Sequence, residues 1–146
     1  MNTEAVAEML REDRAEWEAL VEVLEAHPDG ALHDPTSPAW TSRDVYAHLA
    51  RWIEHSTGQF EAFLAGRELT TIEGTDDEIN ARWQQEDSGL SHADARARAQ
   101  QAFERRLRAF EAVPADRWDD AVRAFAGADG SEHYAAHRSY IADATP

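Results

Sequence analysis

The sequence predicts an all-α fold, a four-helix bundle, on three observations. Several long segments carry apolar residues at three- and four-residue spacing, and no stretch alternates as a strand would. Most of the helical segments open on a capping pattern, and proline or glycine ends them. With 146 residues, one domain over 1–146 is expected, long enough to bury a core without covalent staples.

The first helix is expected from Thr3 to Ala26, with Val6, Met9, Leu10, Trp17, Leu20, Val21 and Leu24 as its apolar face. The run His27-Pro28-Asp29-Gly30 ends it, and a loop with two prolines follows over Ala31–Trp40. Thr41 is a good N-cap with Asp44 three residues on, and Trp40 and Val45 have the spacing of a hydrophobic staple. The second helix runs to Ala65, where Gly66 stops it; Val45, Leu49, Trp52, Ile53, Phe60 and Phe63 form its stripe, opposite Arg51, Glu54 and Glu61. Thr75 with Glu78 opens an extra short helix, "DDEINARWQQE", in the long connection between the second and third main helices. Ser91 with Asp94 opens the third, His92 to Val113, with Ala95, Ala99, Ala102, Phe103, Leu107 and Phe110 facing inward and Pro114 as the stop. One helical turn is expected around Trp118 to Phe125. Asp129 and Glu132 read as the capping pair of a last helix, Gly130 to Asp143. A simple up-down connectivity and a crossover through the long connection from Gly66 to Ser91 both remain open.

Composition removes several functions. Against 14 Lys+Arg stand 29 Asp+Glu, a net charge of -15, so the surface repels phosphate backbones and no nucleic acid is expected as partner. The acids are spread along amphipathic segments and read as a solvating surface. The absence of cysteine excludes disulfides, thiolate metal sites and a cysteine nucleophile. No apolar run approaches the roughly 20 residues of a membrane span, and the charged start "MNTEAVAEMLREDRAEW" has no signal-peptide core. A cytoplasmic protein with no membrane partner is expected.

Chemistry concentrates in "SEHYAAHRSYIADA" (Ser131 to Ala144). At 100° per residue His137 falls about 40° from His133, with Tyr140 about 20° to the other side and Ile141 about 80° away. Both histidines therefore share the inward face, and Glu132 points away from it. Imidazoles four residues apart can hold one metal ion, and can equally hydrogen-bond at a helix seam. A catalytic ion needs a third protein ligand and an open position. His48 and His55 are the other helical candidates, and His48 lies nearer the stripe and the start of its helix. With the second and last helices parallel, their starts share one end of the bundle, which favours His48. Asp44 is better explained as a cap than as a ligand.

The stretch "WTSRDVYAHLARW" (Trp40 to Trp52) resembles the signature of the DinB/YfiT-like four-helix bundles. "HYAAH" looks like the second motif of that superfamily, and "DDEINARW" (Asp76 to Trp83) looks like the middle segment of the related maleylpyruvate isomerase N-terminal domains. The three stretches span most of the chain. The resemblance implies a divalent metal, zinc, nickel or iron, held by His48, His133 and His137. It also implies a low-molecular-weight thiol such as mycothiol, bacillithiol or glutathione, in transfer or isomerisation of a small electrophilic substrate. The chain ends soon after its last helix, so the C-terminal domain of the full-length mycothiol-dependent isomerases is not expected. The ClbS/DfsB-like bundles share the texture of the sequence and imply the alternative of metal-independent hydrolytic self-protection. A third reading is a non-catalytic bundle that binds a ligand or forms a homodimer through its helices.

Three imidazoles leave the ion its full charge, with which it lowers the pKa of a bound water or thiol or polarises a carbonyl. Trp52 and Tyr140 lie one turn from expected ligands, and Asn80 lies in the "EINARW" stretch. These three are the substrate-lining candidates, each with a competing reading as core or helix surface.

Overall fold

Val6, Leu10, Asp13, Trp17, Leu20 and Leu24 recur at alternating steps of four and three residues, and all six are buried on one face of the first helix, α1 (Thr3–Ala26). Asn2 caps it, its Oδ1 accepting from the Ala5 amide at 2.7 Å. The computed structural model describes residues 2–28 and 40–144, and of residues 140 and 142–144 the backbone alone. The proline-containing loop expected over Ala31–Trp40 lies outside the described residues apart from Trp40. The further helices are α2 (Ser42–Leu64), α3 (Asp76–Glu86), α4 (His92–Glu111), α5 (Asp120–Gly127) and α6 (Ser131–Ala144), with a 3-10 turn at Ala115–Arg117. No strand occurs among the described residues, so the fold is all-α, as an α-helical bundle requires. The extra short helix stands where it is expected, between α2 and α4. No helix is long and apolar enough to cross a membrane.

The chain divides into two compact units, Met1–Ser42 with Leu107–Pro146, and Arg43–Arg106. In the first, α1 packs on α6. The Trp17 and Tyr134 rings meet edge to face at 5.3 Å, and Arg138 donates to Glu16 at 2.8 Å. Between them Asp13, 2% exposed, accepts from the Ser131 amide at 3.0 Å. A carboxylate on one helix thus satisfies the first turn of another and meets its positive dipole end. The segment before α6 holds more structure than one turn. Asp119 caps the two-turn α5, accepting from the Val122 amide at 2.9 Å, and buries Val122 and Ala126. Trp118 is buried against Phe110, ring centroids 5.8 Å apart.

The expected Asp129–Glu132 capping pair is not what starts α6. An N-cap needs extended backbone, whereas Asp129 is left-handed with φ 55°. Gly130 supplies the carbonyl that accepts from Tyr134 at 3.1 Å, and Asp13 supplies the side-chain acceptor. Asp13→Ala is therefore expected to cost about 1–2 kcal/mol, the loss of a cap and of a buried hydrogen bond. Asp13→Asn, which keeps the oxygen, recovers most of it. Urea unfolding of the two variants checks this, and equal losses in both would count against it.

In the second unit the caps hold as read. Thr75 accepts from the Glu78 amide at 3.2 Å and Ser91 from the Asp94 amide at 3.0 Å. Arg98 grips Glu54 with two bonds of 2.9 and 2.8 Å, and Arg105 grips Glu61 with bonds of 3.2 and 2.9 Å. Tyr46 meets His92 edge to face at 5.5 Å. From 46 to 54 to 61 on α2 the partners advance from 92 to 98 to 105 on α4. Contacts that advance together belong to parallel helices, so α2 and α4 run the same way. Of the two connectivities the sequence leaves open, this is the crossover: it is made by the connection from Gly66 to Ser91, with α3 built into it. Gln59 of α2 pins that connection near its start, holding Thr70 through three hydrogen bonds of 2.6 to 3.0 Å. Phe63, expected on the inward stripe, lies in the last turn of α2 and is instead 39% exposed.

Candidate metal centre

The histidine pair occupies the first two turns of α6. Alanines separate His137 from Tyr134, and Tyr134, His137 and Ile141 are buried on one side of the helix. His133 and His137 sit one turn apart with ring centroids 4.7 Å apart and planes at 52°. Their Nε2 atoms are 2.9 Å apart. Glu132 is exposed, as the helical wheel requires.

That separation has a chemical meaning. Two nitrogens each about 2.0–2.1 Å from one ion stand roughly 2.9 Å apart at a right-angled bite and roughly 3.3 Å apart at a tetrahedral one. The pair is therefore spaced to chelate a borderline divalent ion with small adjustment. The same distance suits an N–H···N hydrogen bond between neutral imidazoles, one ring donating and the other accepting. On the far side of His133, Nδ1 lies 3.2 Å from Oδ1 of Asp129. This is an ion-pair distance, and its direction is not that of an Nδ1–H hydrogen bond.

Asp129, read from the sequence as a cap, lies beside the histidine pair instead. Its spacing from Glu132 imitates a capping box, and only the left-handed backbone shows that it is not one. His48 stands on the second turn of α2 in the other unit, half-buried between the buried Ala47 and Leu49.

The substrate-lining candidates have separate fates. The Trp52 indole donates to Oδ1 of Asn80 at 2.7 Å, tying α2 to α3. The Trp52 ring also meets Trp83 at 4.9 Å and His55 at 6.1 Å, both edge to face. Both residues are half-buried, and their polar groups serve one another. Trp83, which had not been singled out, completes this cluster with the Arg51 guanidinium 5.5 Å from its ring centroid. The side chain of Tyr140 lies outside the described residues. A cleft of about 420 Å³ in the first unit is lined by Glu12, Ala15, Glu16, Ser131, Glu132 and Ala135 and includes none of the expected site residues.

No curated protein and no solved structure matches the chain. The family model described as the mycothiol maleylpyruvate isomerase N-terminal domain matches residues 13–140, a span that runs from the buried Asp13 through "WTSRDVYAH", "DDEINARW" and the paired histidines of α6. The chain is a member of the mycothiol maleylpyruvate isomerase N-terminal domain family, a DinB-like helical family.

Proposed function

We propose that His48, His133 and His137 together hold a divalent metal ion and that the protein is a metal-dependent enzyme acting on a small electrophilic molecule. The observation that carries the reading is the 2.9 Å separation of the two Nε2 atoms on α6, a spacing fit for one shared ion. The family match and the neutral nitrogen donor set support it. Within that reading, thiol-dependent transfer or isomerisation is the first choice of reaction, with mycothiol or a similar low-molecular-weight thiol as co-substrate, and hydrolysis the second. Zinc, nickel and iron all suit three imidazoles.

When bound, the ion supplies Lewis acidity that favours a thiolate or hydroxide near neutral pH and polarises a carbonyl. The chain's own residues do the rest. His137, buried, keeps one side of the site dry. His133, half-buried, is the more accessible of the two. Three neutral ligands leave the site net positive inside a strongly acidic protein, which attracts an anionic thiol or carboxylate locally while the surface repels polyanions. Trp52 and Asn80 fix α3 against α2 through the indole N–H, which leaves the indole face as the group a substrate could meet.

Elemental analysis of untagged protein prepared without chelators tests the reading. About one ion per chain is expected in the wild type, and a large loss in His48→Ala. Absence of metal in the wild type, with none taken up from zinc, nickel or iron salts, would sink it. The metal-independent self-protection hydrolase and the ligand-binding or dimerising bundle would then take its place.

A further inference from the structure

We propose that the indoles of Trp52 and Trp83 form a corner that sets substrate specificity beside His48, and that it seats a flat, uncharged, unsaturated group of the electrophilic substrate, an aryl ring above all. The inference rests on the reading of His48 as a metal ligand, and deepens it by naming the class of substrate. Three observations carry it. Of the five tryptophans, Trp17, Trp40 and Trp118 are core residues, 1%, 7% and 3% exposed. Trp52 and Trp83 are the two that stay half-buried, and these two meet each other, ring centroids 4.9 Å apart and planes at 64°. Secondly, His48, Trp52 and His55 recur along α2 at steps of four and three residues, all half-buried. Trp52 therefore stands one turn from His48 on the same face, at the spacing that brings Cβ atoms to about 5–6 Å. Lastly, the Trp52 N–H donates to Oδ1 of Asn80 at 2.7 Å, which spends the polar edge of the indole and fixes its orientation.

Two indoles at a steep angle make a corner. A flat ring set into it lies along one indole and meets the other edge to face, the two arrangements that aromatic pairs prefer. Cations also favour indole faces, but here that place is filled from within. The Arg51 guanidinium lies over the Trp83 ring at 5.5 Å from its centroid, and is itself held by Asp87 at 3.0 and 2.9 Å and by Glu86 at 3.2 Å. The corner is left for an uncharged group. Four residues of helix rise about 6 Å, so a group held at Trp52 is separated from the reacting end of the substrate by a few bonds. Trp83 thus selects among substrates from the crossover helix and takes no part in the chemistry.

Benzyl alcohol and cyclohexylmethanol are the probes, alike in size and differing in the flat ring. Each is titrated into the metal-free wild type, with the indole N–H signals followed by 1H–15N NMR. Benzyl alcohol is expected to shift the signals of Trp52 and Trp83 and leave those of Trp17 and Trp118 in place, and to bind about 2- to 10-fold more tightly than cyclohexylmethanol. Trp83→Leu, which keeps an apolar side chain on α3 and removes the π face, is expected to erase that preference. In Co2+-loaded wild type the ring protons of bound benzyl alcohol should show paramagnetic shifts. Unmoved Trp52 and Trp83 signals, equal binding of the two probes by the wild type, a preference that survives in Trp83→Leu, or a bound ring untouched by Co2+ would each overturn the proposal. The wild-type comparison stands whether or not the variant folds. Failure of the wild type to take up Co2+ would instead strike the metal reading, since the preference is read without metal.

Discussion

His137→Ala is expected to abolish stabilisation by metal while leaving the metal-free fold nearly intact. In the wild type, zinc at about 100 times its dissociation constant should raise the unfolding free energy by about 2.7 kcal/mol, and at 1,000 times by about 4.1 kcal/mol. Chelator should remove the gain. In His137→Ala the same zinc should give almost none, because a ligand of the pair is gone and its loss should exceed the 10- to 100-fold typical of an outer partner. The metal-free variant itself should lose only about 1–2 kcal/mol, since an imidazole 5% exposed leaves a modest cavity on the α6 face between Tyr134 and Ile141. Thermal or urea unfolding with and without zinc measures both quantities. A wild type and variant that respond equally to zinc would mean that the pair is a packing contact joined by an N–H···N bond. The two readings agree on the 2.9 Å distance and part company only here.

How much of this was legible beforehand depends on which physical signal each residue sends. The bounds of α1 follow from its stripe and reappear without change. Thr75 and Ser91 cap as their spacing requires, because an N-cap acts within one turn and sequence separation is then nearly spatial separation. Asp13 also left a trace: it occupies the step in the α1 stripe between Leu10 and Trp17 where an apolar residue belongs. Its partner, Ser131, lies more than a hundred positions away, and no local pattern points to a cap donated across helices. Asp129 misled for the converse reason. Its spacing satisfies the capping rule, and its backbone does not. The connectivity could not be read from the stripes at all. An apolar stripe says which side of a helix is buried and nothing about direction, so the parallel course of α2 and α4 emerges only from the advance of Glu54–Arg98 and Glu61–Arg105. The histidine pair was visible because residues four apart on a helix meet; the role of His48 rests on the family's pattern and the metal measurement above.

Asp87→Ala should be the most damaging single change to the scaffold that carries α2. Asp87 ends α3, is 7% exposed, and has no apolar spacing to recommend it as a buried residue. Its carboxylate takes two bonds from Arg51, at 3.0 and 2.9 Å, and a third arginine nitrogen, Arg98 Nη1, stands 3.6 Å away. Its carbonyl accepts from Arg43 at 2.9 Å. One residue thus joins the crossover helix to both α2 and α4. Removing a partner from a buried ion pair costs about 3–5 kcal/mol because the remaining charge is stranded. Arg51 keeps 24% of its side chain in solvent and a second acid, Glu86, at 3.2 Å, so a discounted loss of about 2–4 kcal/mol is expected. The double variant Arg51→Met with Asp87→Leu should recover part of it, since neither charge is then left alone. Hydrogen bonding to Asp87 raises the Arg51 guanidinium above its ordinary range, and Glu54 does the same for Arg98. Stability from a raised folded-state pKa is complete below the unfolded value and is lost only as pH rises through the folded one. For a guanidinium both lie above about 12, so the arginine side of the cluster contributes no pH dependence from about pH 5 to 10. Urea unfolding across that range gives the test. A loss in Asp87→Ala below about 0.5 kcal/mol would place the cluster among solvated surface pairs of little consequence. A loss of the expected size would show that α2, and the half-buried His48 it carries, is held in place by charge as much as by its apolar stripe.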